Sequence, residues 1–255
     1  MNKHSLHIEE TNYNSSKELM TIIKYNDSRH VLVRFENGYE KWTTYGNFAN
    51  GVLKNDSRPT VYGKGHIDIR GITERYPQEY IYWSSMLRRC FAEKWKTKHP
   101  AYRDTTCSEE WLCFSAFVKW CHEQSNWDYL INSDIRFELD KDIIIKHNKH
   151  YSSDTCCFIP QNINKLFTKH DKDRGMYPIG VNYNKKGDCY EAYCMDNKRN
   201  RISKYGFSNP IDAFNYYKEL KEQVIKQVAE EEFTKGSITE KCYQAMIDYK
   251  VEIDD

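Results

Sequence analysis

Between Leu139 and Phe167 the chain gathers acidic, basic, imidazole and amide side chains within fewer than thirty residues. Asp140-Lys141-Asp142 comes first, His147 and His150 follow, and Asn162 closes the set. These groups can exchange protons or hold charge, so the elements that carry them decide whether they converge. An apolar run, Ile143 to Ile145, follows the acidic frame, and Asn148, Ser152, Ser153 and Asp154 then favour a turn. Cys156 to Ile159 is a short β-prone patch. Pro160 opens a helix that contains Asn162 and Asn164, with Leu166 and Phe167 on its apolar side. Strand, long turn, strand and helix on this scale have no room for a core of their own. Their use is to hold polar groups across a small gap. The plainer account makes Asp140 and Asp142 surface carboxylates beside a strand, and Asn162 an ordinary helix-start residue.

The order Leu139-Asp140-Lys141-Asp142, His147-Asn148, Tyr151-Ser152, Cys157-Phe158 and Asn162 resembles the ββα core of the HNH (His-Me finger) endonucleases, in the divergent form of phage and mobile-element proteins. The resemblance implies one divalent metal, Mg²⁺, held by an Asp at the end of the first strand and by an Asn or His on the helix. Asp140 matches the first ligand and Asn162 falls at the second. A His beside the Asp activates water in the family; Lys141 occupies that slot here, with Asp142 next to it. A lysine at its reference pKa is protonated at neutral pH and cannot accept a proton. His147 and His150, on the intervening turn, stand as substitutes.

With 255 residues, the chain has room for one large domain or two to three small ones. A hydrophobic share of 39% and 20 tyrosines make it globular rather than disordered. No apolar run approaches a membrane span and no signal-peptide core follows Met1, so a soluble, intracellular protein is expected. Nine cysteines without a CxxC pair indicate neither a disulfide framework nor a zinc knuckle, and Cys156-Cys157 reads as half-buried strand. Net charge is +1, but the charge is uneven. From Tyr82 to Cys107 six Lys/Arg face two acids, and from Lys141 to Gly206 thirteen face seven. From Phe207 onward six bases face eleven acids, and that acidic tail is expected on the side away from nucleic acid. Basic middle segments suit a phosphate-facing surface; mixed-charge solvated helices would explain each segment as well.

Taken in order, residues 1–17 read as a flexible lead-in and 18–60 as a small β-rich module. Its strands are Leu19 to Tyr25, Val31 to Phe35 and Tyr39 to Thr43, with Asn37-Gly38 as a hairpin signal. Residues 61–79 read as a linker. From Tyr80, apolar residues at helical spacing (Trp83, Met86, Leu87, Cys90) leave Arg88 and Arg89 on the polar side, in reach of phosphates. A second helix runs from Trp111 to Trp120. Residues 80–170 thus form a helical and ββα domain, and 168–175 a charged connector.

A second pattern covers 175–232: Tyr177-Pro178-Ile179-Gly180-Val181, Tyr190-Glu191-Ala192, Gly206-Phe207 and Asp212-Ala213 to Tyr216. It resembles the ethylene-response-factor (AP-two) DNA-binding domain. That resemblance implies a three-stranded antiparallel sheet backed by one helix, the sheet lying in the major groove. Asn182, Tyr183, Lys185, Lys186, Tyr193, Lys198, Arg199, Arg201 and Lys204 are then the DNA-facing candidates, while Tyr190 replaces the usual Trp. Residues 233–255 form the acidic tail, with a helix from Lys241 to Tyr249. The fold class expected is α+β. The function expected is a phage-type, double-stranded-DNA-binding nickase or homing-type endonuclease in the bacterial host cytoplasm. The alternative is a nuclease-derived protein that only binds DNA, or one that inhibits a host enzyme through a protein partner.

Overall fold

The protein is α+β, and the computed structural model describes residues 7–69, 71–167, 176–196 and 200–253. Its chain divides into two compact units, 1–70 and 71–255. Among the described residues no helix is long and apolar enough to cross a membrane.

In the first unit, β1 (Thr11–Tyr13), β2 (Leu19–Asp27), β3 (His30–Phe35) and β4 (Glu40–Thr43) form an antiparallel sheet in sequence order, followed by α1 (Tyr45–Ala49). Period-two alternation sends Met20, Ile22, Val31, Val33 and Phe35 to one face, where Phe48 and Leu53 close the core. β1 lies in what reads as a flexible lead-in. The sequence there is rich in Asn and Ser and carries little apolar signal. Its order comes from side-chain amides: Asn12 donates to the carbonyls of Phe48 and Ala49, and buried Asn14 donates to Leu53 O and accepts from the Glu18 N–H. These bonds satisfy the backbone at the end of α1, so the segment is held without an apolar face.

The second unit begins where a linker is expected. α2 (Ile72–Arg75) leads into α3 (Pro77–Phe91), whose first residue is a proline at the position that needs no N–H. α4 (Glu93–Lys98) follows after Ala92 breaks the helix in an extended conformation. β5 (Thr106–Cys107) precedes α5 (Phe114–Glu123) and α6 (Trp127–Asn132). Trp111 thus sits in a short 3₁₀ turn ahead of α5, and it accepts the Trp83 indole N–H on its carbonyl at 2.7 Å. Then come β6 (Phe137–Asp140), β7 (His150–Tyr151), β8 (Cys157–Pro160) and α7 (Gln161–Phe167). β6 and β8 pair antiparallel, β5 and β7 parallel. The Ile143–Ile145 run is a loop: Ile143 is buried beneath it and Ile145 is exposed. Cys156 and Cys157 are fully buried rather than half-buried, because β8 is covered on both faces.

β9 (Val181–Asn184), β10 (Cys189–Met195) and β11 (Arg201–Phe207) form an antiparallel sheet ordered β11-β10-β9, backed by the 25-residue α8 (Pro210–Thr234) and then α9 (Glu240–Ile247). Asn209 caps α8 by accepting from the N–H groups of Ile211 and Asp212. One apolar core joins the two stretches that read separately in the sequence. Cys157, Ile159 and Ile163 pack with Val181, Ala192, Phe214, Ile225, Cys242 and Met246. The ββα element is therefore braced by the sheet, α8 and α9.

Candidate functional site

Asp140 ends β6 opposite Cys157 and is 8% exposed. Its Oδ1 accepts two backbone N–H groups, from Asp142 at 2.9 Å and Ile143 at 2.8 Å, which turns the chain sharply after the strand. Burial, and then the neighbouring Asp142 carboxylate, raise the Asp140 pKa from 3.8 to about 6 against the pull of those two N–H groups. Lys141 is buried too. Its ammonium donates to Asp142 Oδ2 at 2.8 Å and lies 6.0 Å from the centre of the Tyr151 ring. Asn148 staples the following loop: its amide donates to the carbonyls of Lys141 and His150 and its oxygen accepts the His150 N–H.

These groups face a recess of about 590 Å³. Its lining mixes the acids Glu138, Asp140 and Asp142 with the bases Arg89, Lys141, Lys146 and Lys149, and includes His147, Tyr102, Tyr151, Asn164 and Tyr249. Arg89 donates to the Tyr151 hydroxyl at 3.1 Å and stacks over Tyr102 at 5.6 Å, with no carboxylate in ion-pair range among the described residues. Arg89 is thus a guanidinium with donors to spare at the rim of an acidic centre, an arrangement that fits a phosphate bridged to a cation.

Two expected members are elsewhere. Asn162 is exposed and does not line the recess; Asn164 does. Two residues along a helix turn the side chain by about 200°, so only one of the pair can face β6. His150 is turned away, its Nδ1 2.9 Å from Thr106 Oγ1 on β5, because the parallel β5–β7 pairing sets its face. His147 does line the recess, at a left-handed φ of 63°. As for a metal, no group of three His, Cys, Asp or Glu gathers among the described residues. The oxygen donors of Asp140, Asp142 and Asn164 fit a hard divalent ion that keeps several waters, so Mg²⁺ suits the set present.

The acidic tail reaches the recess. Tyr249 lines the recess, and Glu252 pairs with Lys146 at 2.8 Å and approaches His147 at 4.0 Å. Val251, 2% exposed, anchors this segment, its N–H bonded to Glu222 and its carbonyl accepting from Lys218. Opposite charge draws the segment to Lys146.

In the C-terminal sheet, alternation divides the expected DNA-facing set. Cross-strand register puts Asn182, Glu191, Tyr193, Arg201, Ser203 and Tyr205 on the face away from α8. Arg201 is ion-paired there with Glu191 at 2.6 Å and stacks over Tyr193 at 4.2 Å. Tyr183 is instead beside Tyr190 and Tyr177, and Lys204, level with buried Ala192, lies over Tyr216 of α8 at 4.7 Å. Both are on the helix side, because the strand period sends every second residue there. Lys185 and Lys186 sit in the β9–β10 turn; Lys198, Arg199 and the 168–175 connector lie outside the described residues. Tyr205, 56% exposed, shares this outer face; it was not among the expected residues, because aromatic residues in strands read as core.

No family model matches this chain, and no curated protein or solved structure matches it.

Proposed function

We propose that the protein binds double-stranded DNA across the Asp140 recess and cleaves one strand in an Mg²⁺-dependent reaction of the HNH type. The observation that carries this is Asp140, buried at the end of a β6–β8–α7 unit and lining one recess with Asn164, Arg89, Lys146 and Lys149. Asp140 and Asn164 would hold the ion, which would supply Lewis-acid stabilisation of the leaving oxygen. Arg89 and Lys146 bind the phosphate that enters. Lys141 donates to Asp142 and fixes that carboxylate beside Asp140. Among the described residues His147 is the one imidazole lining the recess, so it takes the proton of the attacking water. The outer face of the β9–β11 sheet, with Tyr193, Arg201 and Tyr205, adds duplex contact.

Plasmid nicking with Mg²⁺ or Mn²⁺, beside a gel shift on the same DNA, tests this. Wild type nicks; Asn164→Ala and His147→Ala lose about 10²-fold or more in rate yet still bind, whereas Asn162→Ala behaves as wild type. Nicking abolished by Asn162→Ala but not Asn164→Ala would overturn the site. The second reading is DNA binding without cleavage. It is favoured by the Lys141–Asp142 pair, which puts a hydrogen-bond donor where the family has its base. Retained binding with no nicking under either metal would establish it.

A further inference from the structure

The Asp140 recess does not end at Arg89. Arg89, Tyr102, Glu138 and Leu139 also line a second hollow of about 570 Å³, built between α3, α4, α6 and β6. Within it Arg88 lies over the Trp95 ring at 4.2 Å, and the other ring stacked on Trp95 is His99, at 3.9 Å and 27°. With cationic and imidazole planes against it, the indole is spent as a stacking platform. The edge N–H of Trp95 and the Nε–H of Arg88 are both buried without a hydrogen-bond partner. Arg88 makes a single weak contact besides its stack, Nη2 to Ser85 Oγ at 3.5 Å. Glu138, the one acid lining this hollow, is held by Arg136 at 3.0 Å.

Buried donors without acceptors are rare in native proteins, and two on stacked side chains that line one hollow call for a ligand rich in acceptor oxygens. Part of the lining is apolar: Ile81, Ile131 and Ile135 are about half exposed and line the same hollow. A bare inorganic anion leaves that part wet. An oxyanion carrying an apolar body uses both.

We infer that the second hollow receives the nucleotide unit adjoining the one at Asp140, its phosphate on Arg88, Arg89 and the Trp95 N–H, its sugar and base against Ile81, Ile131 and Ile135. This rests on the nucleic-acid reading above and names a second contact point along one strand, with Arg89 between the two. The weak Ser85 contact lets the Arg88 guanidinium turn toward an entering phosphate. The sandwiched indole holds the donor edge in place.

The test is NMR of the indole N–H resonances of the full chain, that of Trp95 identified by its loss in Trp95→Phe, together with anisotropy on a labelled 20-base-pair duplex. A thymidine dinucleotide is expected to shift the Trp95 resonance downfield, and Arg88→Gln to abolish that shift. Arg88→Gln and Ile131→Glu, the latter at an exposed position, are each expected to weaken duplex binding about five- to twentyfold. If wild type binds the duplex while the Trp95 resonance stays put and Ile131→Glu binds normally, the second hollow is not a nucleotide site. If inorganic phosphate or polyglutamate moves the resonance as far as the dinucleotide at equal concentration, the nucleotide assignment falls. If wild type binds no nucleic acid at all, the functional reading itself falls, and this inference with it.

Discussion

Asp140→Asn is expected to make the metal-free protein more stable at pH 7 to 8 while it removes nicking. A carboxyl whose pKa is raised from 3.8 to about 6 on folding holds its proton more tightly in the folded state. The stability this contributes is fully present below pH 4, shrinks as pH rises from about 4, and is gone above pH 6. Two pKa units correspond to on the order of 3 kcal/mol, carried mainly by burial and then by the Asp142 charge. Asparagine keeps an oxygen for the N–H groups of Asp142 and Ile143 but never ionises, so its advantage should open between pH 4 and 6 and level off beyond. Denaturant unfolding of both proteins from pH 4 to 8, in EDTA, measures it. Mg²⁺ supplies the opposite test. An ion that binds the folded state alone raises the melting temperature of wild type above pH 6. Asp140→Asn should show little of that rise. An Asp140→Asn protein no more stable than wild type at pH 8 would mean that the carboxyl is not held in an unfavourable charged state.

The parts of this arrangement that were legible in the sequence are those with short-range causes. Alternation at Met20, Ile22, Val31, Val33 and Phe35 gives strands, and 3.6-residue spacing from Trp83 to Cys90 gives α3. Pro160 leading into α7 was readable as a local pattern, whereas the strand before the turn lies at Phe137–Asp140 rather than in the Ile143–Ile145 run. What was not legible depends on rotation and on partners far along the chain. Choosing Asn164 over Asn162 requires the phase of α7 against β6, which is set when Ile163 enters the shared core. His150 is lost to the recess because Thr106, 44 residues earlier, pairs beside it. Tyr249 and Glu252 reach the recess from about a hundred residues away, through the Lys146 pair. Lys204 differs from Arg201 by the strand period alone, and register is decided by pairing with β10. The Asn-rich stretch before β2 shows the same limit from the other side. Its order rests on amide-to-carbonyl bonds to α1, which no hydrophobic pattern reports.

Gly180→Ala should be among the most damaging single substitutions in the second unit. Gly180 has φ 73°, a left-handed conformation that costs an alanine about 1 kcal/mol or somewhat more. The larger problem is steric: an added methyl would fall inside the ring of Tyr217, which is 6% exposed and packed in the core under β9 and β10. Neither partner can yield cheaply. Tyr217 is fixed along α8 between Ala213 and Phe214 on one side and Val224 on the other, and Gly180 O holds the Tyr193 N–H at 2.9 Å. Strain and overpacking together are expected to cost about 3–5 kcal/mol. In a unit of this size that lowers the melting temperature by roughly 8–15 °C. Gly236→Ala is the control. Its φ of 74° is nearly the same, but nothing lies within 4 Å of the added carbon. It should cost about 1 kcal/mol, the backbone term alone. Because Ile159 and Ile163 share their core with Tyr217, the Gly180 change should also loosen the ββα unit and lower nicking and binding together. Equal melting shifts for the two glycines would mean that the Tyr217 contact relaxes freely, and that the sheet does not brace the Asp140 site.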